Sequence, residues 1–520
     1  MSVKDPIYYS DGRLQGSNLS DQDCYRLETL RRLYENGEGI PEFKHLLYDL
    51  DETQVETILD TQGVPQGMDM ARGTLLDFQT SGLAFMYYAK SCVLGDSGGL
   101  GKTAQVSALI NLVSTKHKKE GKPFRFLFLS EKTPSQKMQA ELVRFTGSFV
   151  DHTWGDQKSL EEFTTRFNNS LDSIPSFVAP HSVLNHPIFQ DFMLGYQSSQ
   201  HSNMFDLIII DESSILGNTA NKNYKNAQKL FKGVERIIML NATPFESKLD
   251  VFYAQINLID DTLLPRKTYF DKQFKIYDWT GLYPMFKGKY KNADIFRKMV
   301  EFRYLARTRV GLGAEIKDCT AEVVKVPLSL EQKHLLKRVS LPQQVYDCPW
   351  ELDSSFGTCG KIEKVIDMLT GDLSDVQVLV YVHYKSAQEK LLDRLNDYDI
   401  SAATLNGDTD SEDRAEIINM FQNNDIRVLI TNVQKSLNFG DCDHCIFYNY
   451  DPNPNKMVQF EWRMTRSFDI VGKHVYVIMT EGKELDRFNT VIRDRALASD
   501  EFAGADFSIV LTLLEDELSE

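Results

Sequence analysis

Two short segments combine residue types and spacings suited to phosphoryl chemistry. In VLGDSGGLGKTAQVSALINLV an apolar strand runs through a glycine-rich turn into a helix whose Val106, Leu109, Ile110 and Val113 keep helical spacing. Around Leu100 and Ala104, the glycines 98, 99 and 101 (Gly98, Gly99, Gly101) let backbone N–H groups approach phosphate oxygens. Lys102 supplies a point charge toward the outer phosphates, and Thr103 offers a hydroxyl to Mg2+. The strict phosphate-loop pattern asks for glycine five residues before the glycine of GKT, and Asp96 stands there instead. Further on, MFDLIIIDESS ends an apolar strand in Asp211 and Glu212. That pair suits Mg2+ held by Asp211, often through water, and an attacking water polarised by Glu212. Asp-Glu-Ser-Ser is equally good helix-capping chemistry, and in isolation the two accounts weigh evenly. With GLGKT upstream, hydrolysis of a nucleoside triphosphate is the better account.

Positioning such groups takes strands that end side by side, and the chain is long enough to supply them twice. Single cores stop growing near ~250–300 residues, so 520 residues imply two core domains with additions. Hydrophobic residues at 42% and charged residues at 25% exclude a disordered or low-complexity chain. From about 72 to 262, short apolar runs (SCVLGD, FRFLFLS, SFVAP, FDLIIID, RIIMLNAT) alternate with helix-length amphipathic segments, the pattern of a parallel sheet covered on both faces. The rhythm returns from about 375 to 480 in VQVLVYVHY, SAATLNG, IRVLITN, HCIFYNY and HVYVIMT. The expected organisation is α/β: an N-terminal helical region over 1–70, a first sheet domain over 71–262, a link over 263–374, a second sheet domain over 375–498 and an acidic tail over 499–520. YRLETLRRLYENG and ETQVETILDTQG read as helices ending at glycine.

No apolar run approaches the ~18–20 residues that span a bilayer, and the start lacks an apolar signal region, so a cytoplasmic protein without membrane partners is expected. Seven sparse, irregular cysteines fit free thiols in a reducing compartment. The net charge of −16 argues against a generic nucleic-acid binder, so any polyanion partner must meet a local basic surface. One candidate is 266–298, with 9 Lys/Arg against 3 Asp and nine aromatics interleaved. Two readings stand open for it: a small helical core built on Phe270, Tyr277 and Trp279 with a solvated lysine face, or a DNA-contacting surface using Lys287, Lys289 and Lys291. Cys442 and Cys445 form CDHC, but no second ligand pair completes a zinc site, and buried thiols are expected.

Taken in order, these segments resemble superfamily 2 helicases, and within them the Swi/Snf-like translocases. DSGGLGKTAQ is similar to that family's first motif, LLDFQTSGLAFM to its adenine-recognising segment and LNATPFESKLDVFYAQINLI to its third motif. FRYLARTRVG with VVKVPLSLEQKHLL resembles the bridging segment, its basic pair split as Arg307 and Arg309. GDTDSEDRAEIINMF, VLITNVQKSLNFGDCDHC and QFEWRMTR resemble the later motifs. The resemblance implies two RecA-like domains clasping ATP and Mg2+, with Gln79 on adenine, Thr243 coupling nucleotide state to DNA, and Gln459, Arg463 and Arg466 on the sixth motif. Physically, a guanidinium from the opposing half stabilises the charge spread over a loose phosphoryl-transfer transition state only when the halves close; salt bridges to Glu461 and Asp469 are the plainer use of these arginines. Ser214 replaces the family's second-motif histidine, Ala242-Thr243-Pro244 replaces its GTP triplet, and Lys435 falls where its fifth motif has glycines and can reach phosphate.

The resemblance implies a DNA-dependent ATPase translocating on double-stranded or branched DNA, in replication, recombination or repair. The compact size suggests a phage, viral or bacterial member, acting in the host cytoplasm if phage-encoded. Two rivals stand beside it: an RNA- or RNA-polymerase-directed ATPase, and an ATP-sensing scaffold recruiting proteins through its acidic ends.

Overall fold

The computed structural model describes residues 43–61, 71–132, 135–168, 176–200, 202–242, 249–279, 284–340, 342–433, 439, 442–449, 454–465 and 469–490. The chain divides into two compact units, the first running to Thr308 and the second starting at Arg309.

The first unit opens with β1 (Leu47–Asp49), α1 (Glu52–Thr61) and β2 (Ala71–Gly73), the two strands pairing antiparallel. There follow α2 (Asp77–Ala89), β3 (Cys92–Leu94), α3 (Lys102–Lys119), β4 (Phe126–Ser130), α4 (Ser135–Thr146), β5 (Asp151–His152), α5 (Gln157–Asn168), β6 (Phe177–Pro180) and α6 (Pro187–Gln200). Then come β7 (Leu207–Ile210), α7 (Lys222–Leu230), β8 (Arg236–Leu240), α8 (Leu249–Ile259), α9 (Lys267–Phe274), β9 (Lys275–Trp279), β10 (Pro284–Tyr290), α10 (Ala293–Val300) and β11 (Tyr304–Leu305). The main sheet is parallel throughout, in the order β11-β3-β8-β7-β4-β6-β5. Its central strands are apolar at nearly every position because each face has its own core. Ile208, Ile210 and Met239 pack on one side; Leu207, Ile209 and Ile238 pack on the other, as a two-residue period requires.

The second unit holds β12 (Ile316–Lys317), β13 (Thr320–Val326), α11 (Leu330–Leu336), α12 (Pro342–Asp347), α13 (Gly360–Thr370), β14 (Val378–Tyr381), α14 (Lys385–Asp397) and β15 (Ala402–Leu405). It continues with α15 (Ser411–Gln422), β16 (Val428–Thr431), β17 (His444–Phe447), α16 (Pro454–Glu461), β18 (Ile470–Val471) and β19 (His474–Thr480). Its sheet is again parallel, β13-β19-β17-β14-β16-β15, with β12 and β18 forming a separate parallel pair. Leu379 and Tyr381 face one core, and Val378 and Val380 the other.

The two-sheet α/β architecture expected from the apolar rhythm is present. The chain from 263 to 374, read as a link, supplies β11 to the first sheet and β13 to the second. The helix expected over ETQVETILDTQG is α1, whereas YRLETLRRLYENG and the acidic tail lie outside the described residues. Among the described residues no helix is long and apolar enough to cross a membrane.

Candidate functional site

β3 delivers the chain to the phosphate loop. Gly99 and Gly101 adopt φ of 82° and 74°, conformations open to glycine and costly for side chains bearing Cβ. Gly101 has a second constraint, since a Cβ there would collide with Gln79 Nε2. α3 begins at Lys102, so its unpaired N–H groups point into the loop, where anions are favoured. Leu100 is buried beneath the turn, while Gly98, Lys102, Thr103 and Ala104 are half-buried at its mouth. The Lys102 ammonium donates to the Asp96 and Ser97 carbonyls at 2.6 and 3.2 Å, which holds it over the cradle. Gln79, at the start of α2, accepts from the Leu76 N–H at 3.0 Å and donates to the Leu100 carbonyl at 3.2 Å. It ties the helix cap to the phosphate loop.

β7 ends one strand away from β3, with β8 between them, and places Asp211 and Glu212 at the same carboxyl edge, the edge where open parallel sheets bind ligands. Burial and the charge of Glu212 push the Asp211 carboxyl up to about 7, while Lys102 opposes the shift. A half-buried carboxylate pair that feels a nearby lysine is the kind of set a hard divalent cation relieves, and Asp211, with Thr103 in the first turn of α3, could hold Mg2+. Glu212 itself has φ 46° and ψ 51°, a left-handed conformation costing about 1–2 kcal/mol for an L residue.

Asp96, the residue that breaks the strict glycine pattern, is fully buried and needed as a side chain. Arg307 reaches it from beyond β11: Nε donates to Oδ1 at 2.9 Å and Nη2 to Oδ2 at 2.5 Å. Gln105 closes the cluster, donating to Asp96 Oδ2 at 3.0 Å and accepting from Arg307 Nη2 at 2.9 Å. The other Arg307 nitrogen donates to the Phe78 carbonyl, and the guanidinium lies 5.3 Å from the Phe78 ring centre. A fork-to-fork pair of this kind is directional and, when buried, strongly coupled. α2, the continuous loop-to-α3 segment and the chain just after β11 are thereby locked together. The signal for it in the sequence was an acid in a glycine slot and an arginine some two hundred residues later.

Gly82 sits against this cluster. A Cβ there would come within 2.5 Å of Arg307 Nη2 and still closer to Gln105 Oε1, both immobilised by their bonds. Gly82→Ala is therefore expected to cost ~1–3 kcal/mol by overpacking and to weaken nucleotide binding. A urea midpoint and an ATP affinity both equal to wild type would refute it.

The SNF2-related domain matches residues 78–376, and the helicase conserved C-terminal domain matches residues 360–467. The chain belongs to the SNF2-related family. The first of these matches runs through most of the first unit and into the second, and the other lies within the second unit. Among similar proteins is the SWI/SNF-related matrix-associated actin-dependent regulator of chromatin subfamily A-like protein 1 of Xenopus laevis, 23% identical over 443 residues, or 81% of this chain and 43% of that protein. The DNA repair and recombination protein RAD54 of Oryza sativa subsp. japonica is 25% identical over 283 residues, 53% of this chain and 27% of its own. The chain spans less than half the length of these curated relatives. Of solved structures, the Sulfolobus solfataricus SWI2/SNF2 ATPase core in complex with dsDNA aligns over 85% of this chain and 96% of its own, at 18% identity and a TM-score of 0.38.

Within this SNF2-related chain the split basic pair acquires two separate jobs. Arg307 serves the first unit as described. Arg309 belongs to the second, where it is 1% exposed and donates to the Thr465 carbonyl, beside the sixth-motif segment. Arg463 lies half-buried in the turn after α16, its N–H donating to the Phe460 carbonyl and its carbonyl accepting from the Phe439 N–H, both at 2.9 Å. Gln459 is on α16, while Thr243, Lys435 and Arg466 lie outside the described residues.

Of the aromatics expected in a small helical core, Phe270 is buried and Tyr277 is not. Phe270, Phe274 and Phe296 are fully buried and meet in tilted and edge-on contacts within 6.0 Å, as part of the core on one face of the first sheet. The residues between form an antiparallel hairpin, β9 with β10, and not a helix. Tyr277 on β9 is 39% exposed, Lys287 and Lys289 are on β10, and Lys291 is exposed just after it. Lys275 anchors the hairpin by donating to Asp250 at 2.7 and 2.8 Å. Cys442 and Cys445 are both buried, and burial pushes the Cys442 thiol up to about 11.

Proposed function

We propose that this chain hydrolyses ATP in response to DNA and uses the cycle to move along double-stranded or branched DNA, remodelling forks or junctions in replication, recombination or repair. The observation that carries the reading is the placement of the phosphate loop, held by Asp96 and Arg307, and the Asp211–Glu212 pair at one carboxyl edge. Lys102 and the α3 N-terminus bind the phosphates, Thr103 and Asp211 would hold Mg2+, and Gln79 lies beside the loop for adenine. Bound Mg2+ would neutralise charge between the outer phosphates. Glu212 takes the proton of the attacking water. Arg463, Arg466 and Gln459 are read as acting on the γ-phosphate, Thr243 as coupling nucleotide state to the track, and Lys435 as adding a phosphate contact. Support for DNA as the track comes from the family, from a relative described as a DNA repair and recombination protein, and from the cationic hairpin on an otherwise acidic chain.

The test is steady-state ATP turnover with no polymer, duplex DNA, single-stranded DNA, forked DNA and RNA in parallel. Strong stimulation by duplex or fork is the expected result; stimulation by RNA alone overturns it, and ATP binding without stimulated turnover favours the scaffold.

The hairpin makes its own prediction. Neutralising Lys287, Lys289 and Lys291 together is expected to lower DNA affinity and to flatten its log–log salt dependence by about 2–3, since each phosphate contact contributes roughly 0.9. Affinity titrations at several salt concentrations measure the slope, and an unchanged slope removes these lysines from the interface.

A further inference from the structure

We propose that Gln255 is a positioning residue for hydrolysis: through Ser213 it fixes the turn that aims Glu212. The inference rests on the reading of Glu212 as the base. Glu212 occupies a left-handed conformation that its own side chain does not favour, so its neighbours must hold it. On the upstream side the backbone of Asp211 is fixed twice. Its N–H donates to the Leu129 carbonyl at 2.8 Å, and its carbonyl accepts from His181 Nε2, also at 2.8 Å. On the downstream side the chain enters a short 3-10 turn, Ser213–Leu216, which packs closely on α8; a Cβ on Gly217 would come within 2.6 Å of Val251. The polar bond joining turn to helix is Gln255 Nε2 to Ser213 Oγ, at 3.1 Å, with both residues 0% exposed.

Gln255 is a poor choice for packing. It lies among the buried Phe252, Ala254 and Ile256 of an otherwise apolar stretch, and its Oε1 finds no hydrogen-bond partner among the described residues. A buried amide with half its capacity unused costs stability, and an apolar pair in place of Ser213 and Gln255 would be neutral or stabilising. The amide therefore sits where core packing alone disfavours it, and the group it steadies is one residue from the base.

The experiment compares wild type with Gln255→Met, with Ser213→Ala/Gln255→Leu and with Glu212→Gln. It measures kcat and KM for ATP with the polymer that best stimulates wild type, and the thermal midpoint of each protein. Both Gln255 variants are expected to lose about tenfold in kcat, short of the ~100-fold that a 1 Å misplacement can cost. They should lose it by a similar factor, because they break one shared bond. KM should stay within about twofold, and the double variant should melt no lower than wild type. Wild-type kcat in the double variant, with Glu212→Gln inactive, overturns the inference alone. So does a kcat loss that tracks a lowered midpoint, the mark of a purely structural residue. Normal turnover by Glu212→Gln overturns the base assignment and the inference with it.

Discussion

Glu212→Gln is expected to lower polymer-stimulated ATP turnover by about 10²–10⁴-fold while leaving ATP binding close to wild type. The substitution keeps size and hydrogen-bonding reach at the end of β7, so the turn from Asp211 into the 3-10 segment should persist. On the proposed reading it removes the group that accepts a proton from water in the transition state, and a loss confined to the transition state appears in kcat. Lys102→Ala should behave differently. That ammonium already hovers over the cradle through the Asp96 and Ser97 carbonyls, so its loss should raise KM as well as lower kcat. Equilibrium binding of a fluorescent ATP analogue, run beside steady-state turnover, separates the two. Turnover above a tenth of wild type in Glu212→Gln would mean that another group is the base.

The second large effect concerns stability. In the second unit Lys361 is 1% exposed and donates to Asp347 Oδ1 at 2.7 Å and to Glu484 Oε1 at 2.6 Å. Gln343 donates to both acids, and the Thr480 N–H donates to Glu484 Oε2 at 2.8 Å. The cluster ties α12, α13 and the segment after β19 together. Lys361→Met would strand two buried carboxylates without their cation, an expected loss of ~3–5 kcal/mol. For a unit of this size that lowers Tm by roughly 6–20 °C.

The pH dependence has a definite sign. Burial, with the charge of Glu484, pushes the Asp347 carboxyl up to about 6 even with Lys361 present. A carboxyl raised in the folded state favours folding when protonated, so its contribution is present near pH 4 and fades as pH rises through about 6. Lys361 is raised above its ordinary value and stays charged throughout this range. Without it the Asp347 carboxyl should rise further, so the deficit of Lys361→Met should be large at pH 8 and shrink toward pH 5. Melts across that range that show a constant deficit would contradict this account.

What the residues by themselves determined was the place of the candidate phosphate loop and acidic pair in the chain, and the class of fold. The glycines of GLGKT, the apolar run ending in Asp211–Glu212 and the alternation of buried strands with helices are all short-range patterns, set by what a phosphate cradle and a two-faced parallel sheet demand. They located β3, β4, β6, β7 and β8 in one unit and β14 through β17 with β19 in the other. The edges were a matter for tertiary structure. Tyr304–Leu305 is too short to read as a strand, and exists as β11 because β3 offers it a parallel partner. TAEVVKV looked like part of a bridge and became β13 by pairing along its whole length with β19. Asp96 read as a defect in a motif because its partners, Arg307 and Gln105, are brought to it only when β11 docks. Ser213 likewise meets Gln255 across forty-two residues. A buried polar group is decided by what folding sets against it, and neither periodicity nor spacing carries that information.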